Sequence, residues 1–527
     1  MHVQGTTGVL RTGLQDDLVA AFSEARVAGV PGPIERFDTH LSHVFLSGCR
    51  AFKLKRAVRL PFVDFSTVDQ RRVACQAELD INRRLRSPLY VAVAPVIQVG
   101  DGSYRIGGEG DTVDWVVVMR RFDQSHQFDV MARKGALTVD LVERAAERIV
   151  DMHADAPATA LAGHAADYRH VIEMLRRTEL EAAESLGLEP GLPAPYDRLD
   201  RELARVDALI ERRRAAGKVR RVHGDLHLRN ICLFEGEPTP FDALEFDERM
   251  ATTDVLYDLA LLLMDLRRLD LPEHANAAMN RYWDAVGEDE EALQLLPFFT
   301  SLRAAVRMAV AVEAGRLEEA QKYREVAFQM LERKPPAMVA IGGLSGVGKS
   351  AVARAVAPLL AGPAGARVLR SDVLRKRSLG LKPQETAGAQ AYAPAQRAGI
   401  YRKLTVHAKS AMAAGASVVA DATFRVSTTR EAIACVGGQN SFAFWLDAPL
   451  QVRLARIGRR SGDASDADAA VAMKQEEPGD LGAGWRRLDA RRTVGELAAD
   501  IMKEVRDAGD ATRAAGIASR DAGASRS

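Results

Sequence analysis

"RRVHGDLHLRNICLF", Arg220 to Phe234, sets His223, Asp225 and Asn230 in a polar turn between two short apolar runs. Twelve residues past Asn230 comes Asp242, in "PFDALEFD". Phosphoryl transfer asks little covalent chemistry of a protein. It asks for a carboxylate near the accepting hydroxyl and for oxygen ligands to a metal on the phosphates. Asp225 suits the first task as a catalytic residue. Asn230 and Asp242 suit the second, because a hard cation takes oxygen donors. A loop of this spacing followed by a strand pair brings the three side chains into one cleft; the plainer reading is a polar turn that joins two strands.

Outward from that loop the chain changes texture three times. From about Phe37 to Arg120 the apolar runs are short and β-like, with one helical stretch, "DQRRVACQAELDINRRL", among them. From Ala132 to Gln329 the pattern is mostly helical, interrupted by the loop above. "ERKPPA" then punctuates the chain, with Pro335 and Pro336 at a domain boundary. Beyond it strands and helices alternate, which argues a parallel sheet with helices on both faces. The last residues are Ala-, Ser-, Gly- and Arg-rich and read as a disordered tail. The division expected is 1–334, 335–508 and a tail over 509–527.

"HGDLHLRNICL", "FDALEFD" and "DVLYDLALL" together resemble the aminoglycoside phosphotransferase and choline kinase branch of the protein-kinase-like fold. The likeness covers roughly Phe37 to Leu331 and implies an α+β protein-kinase-like domain. It implies that Asp254 and Asp258 buttress the catalytic loop. It also implies a strand lysine paired with a helix glutamate on the α and β phosphates of ATP: Lys53, in "AFKLKR", with Glu78, in "CQAELDINRRL". Lys53 and Lys55 share one face of a strand, since their spacing is two, so Lys55 stays open as the alternative. There is no G-x-G-x-x-G loop, and "HLSHVFLSG", His40 to Gly48, stands in its place. His153 and His227 read as structural. The acidic run Glu288 to Glu291 suits either a polycationic acceptor or a solvated helix start.

"GLSGVGKS" fits G-x-x-x-x-G-K-[ST], with an apolar run before it and a helical pattern after it. In that context backbone N–H groups at a helix N-terminus wrap phosphates, Lys349 reaches the β and γ oxygens, and Ser350 ligates Mg2+. Gly343, Ser345, Gly346 and Gly348 complete the cofactor-binding loop. Asp421, ending "SVVAD", is a Walker-B-like carboxylate for the metal. The whole resembles gluconate-kinase-like, polynucleotide-kinase-like and zeta-toxin-like P-loop kinases, which implies an α/β P-loop NTPase domain over Ala337 to about Val505. By that resemblance Asp372 receives an acceptor hydroxyl, Arg375 binds substrate, and lid arginines neutralise the transferring phosphoryl group. Of Arg453, Arg456, Arg459 and Arg460, the pair Arg456 and Arg460 lies one helical turn apart.

Bulk properties narrow the class. A chain of 527 residues exceeds one core. The net charge of +1, from 72 basic and 71 acidic residues, gives no field over the whole surface to recruit nucleic acid or an anionic membrane. Cys49, Cys75, Cys232 and Cys435 show neither metal-ligand nor CxxC spacing, as expected of a reduced, cytoplasmic protein. No signal peptide is seen, and no stretch reaches the ~20 apolar residues that span a bilayer. The expectation is an ATP- and Mg2+-dependent phosphotransferase with two sites, each acting on a hydroxyl of a small molecule. The rivals are a regulatory nucleotide-binding protein, in which only the P-loop half binds or hydrolyses ATP, and a nucleic-acid end kinase.

Overall fold

Alternation in "RAFKLK" decides how the first sheet is dressed. In β3 (Arg50–Lys55), between β1 (Ile34–Asp38) with β2 (Ser42–Ser47) and the strands that follow, Phe52 and Leu54 face one side of the sheet. There they join a core with Leu18, Phe22, Phe45 and Val116, and Phe22 stacks on Phe45 at 4.6 Å between ring centroids. Lys53 and Lys55 point to the other side, against the helix α1 (Val68–Arg84). The long strands β4 (Tyr90–Gln98) and β5 (Asp111–Arg120) complete the middle of the sheet. Its order runs Val27–Ala28, Tyr104–Ile106, β4, β5, β3, β2, β1.

This is a computed structural model; it describes residues 13–60, 63–100, 102–186, 195–245, 247–382, 385–459, 466 and 468–524. The chain packs into two units: Met1–Asp167 with Ile210–Leu262, and Tyr168–Leu209 with Leu263–Ser527. The first holds the mixed sheet, α1 and the loop that carries Asp225. After that loop come the hairpin β6 (Ile231–Phe234) and β7 (Glu237–Pro240), and then α2 (Val255–Arg268), which starts in this unit. The stretch His40 to Gly48 is mostly the strand β2, so only the turn over 39–41 lies where a glycine loop would cover phosphates. That turn is closed by Thr39, whose Oγ1 accepts from Ser42 N at 2.9 Å.

In the second unit the P-loop follows the middle strand of a five-stranded parallel sheet. After the helix α3 (Pro272–Val286) come β8 (Met338–Gly343), α4 (Lys349–Val356), β9 (Arg367–Arg370), α5 (Ser371–Ser378), α6 (Pro394–Ala413), β10 (Val418–Asp421) and β11 (Ser441–Asp447). Then follow α7 (Leu450–Gly458), α8 (Ala469–Met473), β12 (Trp485–Asp489) and α9 (Val494–Ala524). The strand order is β9-β10-β8-β11-β12, all parallel. The order reverses beside β8, where crevices at the carboxyl ends of strands take ligands. Val339, Ile341, Val419, Phe444 and Leu446 make the core beneath α4 and α9.

Three expectations change here. The acidic run is a helix start and no exposed dock: Asp289 caps a short 3-10 helix that begins at Glu290, while Glu288 and Glu290 are buried. Glu290 meets Arg367 at 3.1 Å and His407 at 3.3 Å. Residues 509–524, read as tail, continue α9, in keeping with the helix propensity of alanine; residues 525–527 lie outside the described residues. Among the described residues one segment, Glu290–Glu313, is long and apolar enough to cross a membrane, and 72% of its most apolar window is buried inside the protein.

Candidate active sites

The first site is built on three elements of the first unit. The strand β3 delivers Lys53 and Lys55, α1 delivers Glu78, and the loop after the hairpin delivers Asp242. Lys53 Nζ lies 2.7 Å from Glu78 Oε1 and also bonds Asp242. Lys55 Nζ lies 2.5 Å from Glu78 Oε2 and bonds Glu245. So both lysines meet the same glutamate. They part at their second partner: Lys53 turns to the exposed side chain of Asp242, while Lys55, 1% exposed, stays with the buried Glu245. Burial alone would depress Lys53, but Asp242 and Glu78 hold it well above the usual lysine range. Burial would likewise raise Glu78, and the two lysines instead hold its carboxyl down, at about 2. Glu245 is pushed up by burial; Lys55 opposes that shift, while Glu78 adds to it. Three carboxylates thus face two ammonium groups.

Asp242 adopts φ +60, a left-handed conformation that non-glycine residues take at a cost. The surroundings hold it there. Asp242 N donates to the Tyr90 hydroxyl at 3.0 Å, and Ala243 N donates to Asn82 Oδ1 at 3.2 Å. Tyr90 donates in turn to Glu78 Oε1 at 3.3 Å. The carboxylate is therefore aimed by its backbone, and its exposure leaves it free to bind further.

The loop of Asp225 is held by the helix that follows it. Asp258 Oδ1 accepts from Gly224 N at 2.9 Å and Oδ2 from His223 N at 3.3 Å. His153 Nε2 sits 3.1 Å from the same carboxylate. Asp254 binds Arg213 through two bonds of 2.7 and 2.9 Å. Glycine is required at 224: φ is +84, and a Cβ there would lie 2.9 Å from that of Ala251. Asn230 Nδ2 donates to Asp225 O at 3.0 Å and to Asp225 Oδ2 at 3.2 Å. A main-chain carbonyl can only accept, so the asparagine amide is oriented and its Oδ1 is left as an oxygen donor. That donor set, Asn230 Oδ1 and the Asp242 carboxylate, fits a hard cation that also binds phosphate oxygens. His227 Nε2 lies 3.3 Å from Asp225 Oδ2. His227, read from the sequence as structural, touches the carboxylate itself, and its position two residues on was the only signal.

The second site assembles at the carboxyl ends of β8, β9 and β10. Gly343, Gly346 and Gly348 take φ of +140, +84 and +104. A Cβ on Gly346 would stand 2.6 Å from Arg453 O, so glycine is what lets the loop pack against α7. Ser350 Oγ donates to Asp421 Oδ2 at 2.5 Å, and Arg370 Nη2 lies 3.0 Å from the same hydroxyl. The residues read as metal ligands are thus in contact across 71 positions of sequence. Lys349 Nζ donates to Leu344 O at 3.1 Å. These groups fit a nucleotide phosphate and its cation: open glycine backbone, one lysine, one hydroxyl and one carboxylate.

Asp372, in the first turn of α5, bonds Arg375, whose guanidinium lies 4.4 Å above the Tyr392 ring. Arg456 is engaged elsewhere than expected. It donates to Val347 O and Ala490 O, both at 2.7 Å, and so holds the P-loop by its main chain. Arg453 is buried and reaches Ser345 O at 3.4 Å. Arg459 is exposed just past α7, and Arg460 lies outside the described residues.

Family models match two separate stretches of the chain. Residues 62–296 match the phosphotransferase enzyme family, and residues 338–478 match a family described as AAA domain. An uncharacterized protein of Mycobacterium tuberculosis is 29% identical over 455 residues, covering 82% of this chain and 88% of the relative. An uncharacterized protein of Mycobacterium bovis is similar to the same extent. Among solved structures, an amicoumacin kinase in complex with AMP-PNP, Ca2+ and Ami is similar over 60% of this chain and 94% of its own, at 14% identity and a TM-score of 0.39. A gluconokinase from Sinorhizobium meliloti is similar over 34% of this chain and 98% of its own, at 19% identity and a TM-score of 0.24.

Proposed function

We propose that this chain, a kinase that joins a domain of the phosphotransferase enzyme family to a P-loop domain, carries two working sites, each transferring the γ-phosphate of ATP to a hydroxyl of a small molecule. The observation that carries the reading is the same in both units: a metal-type carboxylate touches the residue meant to share the phosphates with it. In one unit this is Asp242 with Lys53, and in the other Asp421 with Ser350. The division at 335 belongs to this reading.

In the first site Asp225 orients and deprotonates the acceptor hydroxyl, with Asn230 and His227 fixing the carboxylate. Lys53 binds phosphate oxygens and is positioned by Glu78. Asn230 and Asp242 would hold Mg2+, which when bound neutralises charge on the phosphates. In the second site the loop from Gly343 to Gly348 and Lys349 hold the phosphates. Ser350 and Asp421 would hold the cation, and Asp372 receives the acceptor hydroxyl beside Arg375. Arg456 positions the loop, and Arg460 remains the lid arginine of the reading.

The test is ATP consumption against a panel of hydroxyl compounds by wild type, Asp225→Asn and Lys349→Ala. Loss of a general base lowers turnover by on the order of 10²–10⁴. Two sites predict that each substitution removes one part of the panel and spares the other. One site predicts that a single substitution removes everything. A chain in which neither lowers turnover would not be this enzyme.

A further inference from the structure

We propose that Gln475 is a positioning residue of the P-loop site, which orients the Ser345 hydroxyl so that its proton is offered to the terminal phosphate of ATP. The inference rests on the reading of the P-loop as an ATP site. Ser345 is the third residue of "GLSGVGKS" and is buried. Its N–H donates to Gln475 Oε1 at 2.7 Å, and its Oγ accepts from Gln475 Nε2 at 2.8 Å.

Chemistry fixes the direction of both bonds. A main-chain N–H can only donate, so the amide oxygen faces it. An amide NH₂ does not accept, so the serine oxygen must. Ser345 O is also committed, since it accepts from Arg453 Nη1 at 3.4 Å. What remains of the residue is the hydroxyl hydrogen, and among the described residues no other group takes it. The Ser345 N–H, bound to Gln475, therefore leaves phosphate recognition to the side chain. The inner phosphates belong to the helix N-terminus, where Gly348, Lys349 and Ser350 begin α4. The third residue stands farther back along the loop, and its proposed place is beside the outer phosphate.

Gln475 is itself held from several directions. It follows α8, whose first turn is capped by Asp468 through Val471 N at 2.8 Å. Arg453 joins the two segments, reaching Ala472 O and Ser345 O at 3.4 Å each. Two residues on, Glu477 pairs with Arg487 of β12 at 3.7 Å, and Arg487 also meets Asp447 at 3.4 Å. A glutamine is the side chain that presents an acceptor and a donor side by side to one residue. A glutamate at the same place would accept from both the N–H and the hydroxyl, and so withdraw the proton.

The experiment measures Kd for Mg–AMP-PNP and Mg–ADP by calorimetry on the full chain carrying Asp242→Ala, which silences the first site. A hydrogen bond to a charged group corresponds to on the order of 10–100-fold in affinity. Gln475→Glu should weaken AMP-PNP by about that factor and change ADP less than about twofold. Ser345→Ala should do the same, and adding Gln475→Glu to it should cost little more. Gln475→Met, which releases the hydroxyl without capturing its proton, should show the same triphosphate selectivity at smaller size and serves if the glutamate variant does not fold. Equal losses for both nucleotides, no loss, or additive losses in the double variant would overturn the proposal. Lys349→Ala separates the two claims. If it leaves both affinities unchanged, the P-loop reading itself falls and takes the inference with it. If it abolishes binding while Gln475→Glu shifts both nucleotides alike, the inference alone falls.

Discussion

Two lysines on one face of β3 present the sharpest choice at the scale of single residues. Spacing left them equivalent; the second partner separates them, since Lys53 meets an exposed carboxylate and Lys55 a buried one. Lys53→Met should therefore lower first-site turnover by on the order of 10²–10³, the usual loss when one preorganised charge is removed, and should destabilise less than loss of Lys55, because Glu78 keeps Lys55 and Asp242 is exposed. Lys55→Met leaves Glu245 and part of Glu78 buried without a counter-charge, and should destabilise by about 3–5 kcal/mol. Melting curves and turnover, measured together, distinguish them; the reverse pattern would move the phosphate-binding role to Lys55. Acid should expose the same cluster. Glu78, held at about 2 in the fold against 4.5 for the ordinary glutamate, contributes stability that is present above 4.5 and lost as pH falls through 2. Glu245 is displaced the other way, so protonating it as pH falls toward 4.5 favours the fold. Melting temperature against pH should show the acid loss flattened in Glu78→Gln and the opposing step removed in Glu245→Gln.

At the scale of elements, the strand β9 is an edge of its sheet, and α3 covers it side chain by side chain. Asn280 Oδ1 accepts from Val368 N at 2.7 Å, its Nδ2 donates to Ala366 O at 3.1 Å, and Asn276 Nδ2 donates to Ala364 O at 2.7 Å. An asparagine thereby supplies the donor and acceptor that a neighbouring strand would. Asn280→Ala would orphan a buried N–H and should cost about 1–3 kcal/mol by denaturant unfolding; Asn276→Ala removes the donor to Ala364 O while Ala366 O keeps Asn280, and should cost no more than that. None of this could be foreseen from spacing. The motif residues could, because Asp225 and Asn230, or Lys349 and Ser350, act as neighbours within one turn, and their chemistry is carried by identity and local order. The α1 pattern and the alternation of β3 also read correctly, since each depends on one periodicity. What stayed hidden are pairs made by topology. Lys55 reaches Glu245 across 190 positions, Ser345 reaches Gln475 across 130, and Arg367 reaches Asp284 across 83. Arg456 shows the complementary failure: helical spacing placed it correctly, but its two carbonyl partners belong to other segments.

For the molecule as a whole, composition changes at Pro335 while packing does not. The second unit takes in 263–334 along with the P-loop sheet. At their meeting Arg367, 1% exposed, binds Asp284 at 2.6 Å, Glu290 at 3.1 Å and Asn280 Oδ1 at 3.0 Å. Arg367 opens β9, and Arg370 and Asp372, at the end of that strand and the start of α5, belong to the second site. A P-loop fragment cut at the change in composition would therefore lose the cover of the very strand that ends in Arg370, whose Nη2 lies 3.0 Å from Ser350 Oγ. A bare edge strand invites pairing between chains. Residues 335–527 alone should associate in light scattering and bind nucleotide weakly, while the whole second unit, residues 168–209 joined to 263–527, should stay monodisperse and bind as the full chain does. In the full chain, Arg367→Met takes the guanidinium from Asp284 and leaves Glu290 with His407. That change should cost about 3–5 kcal/mol of stability, as removal of one partner from a buried ion pair does. If 335–527 proves monodisperse with full nucleotide affinity, and Arg367→Met melts like wild type, the helices before Pro335 are an attachment to the P-loop domain and no part of its fold.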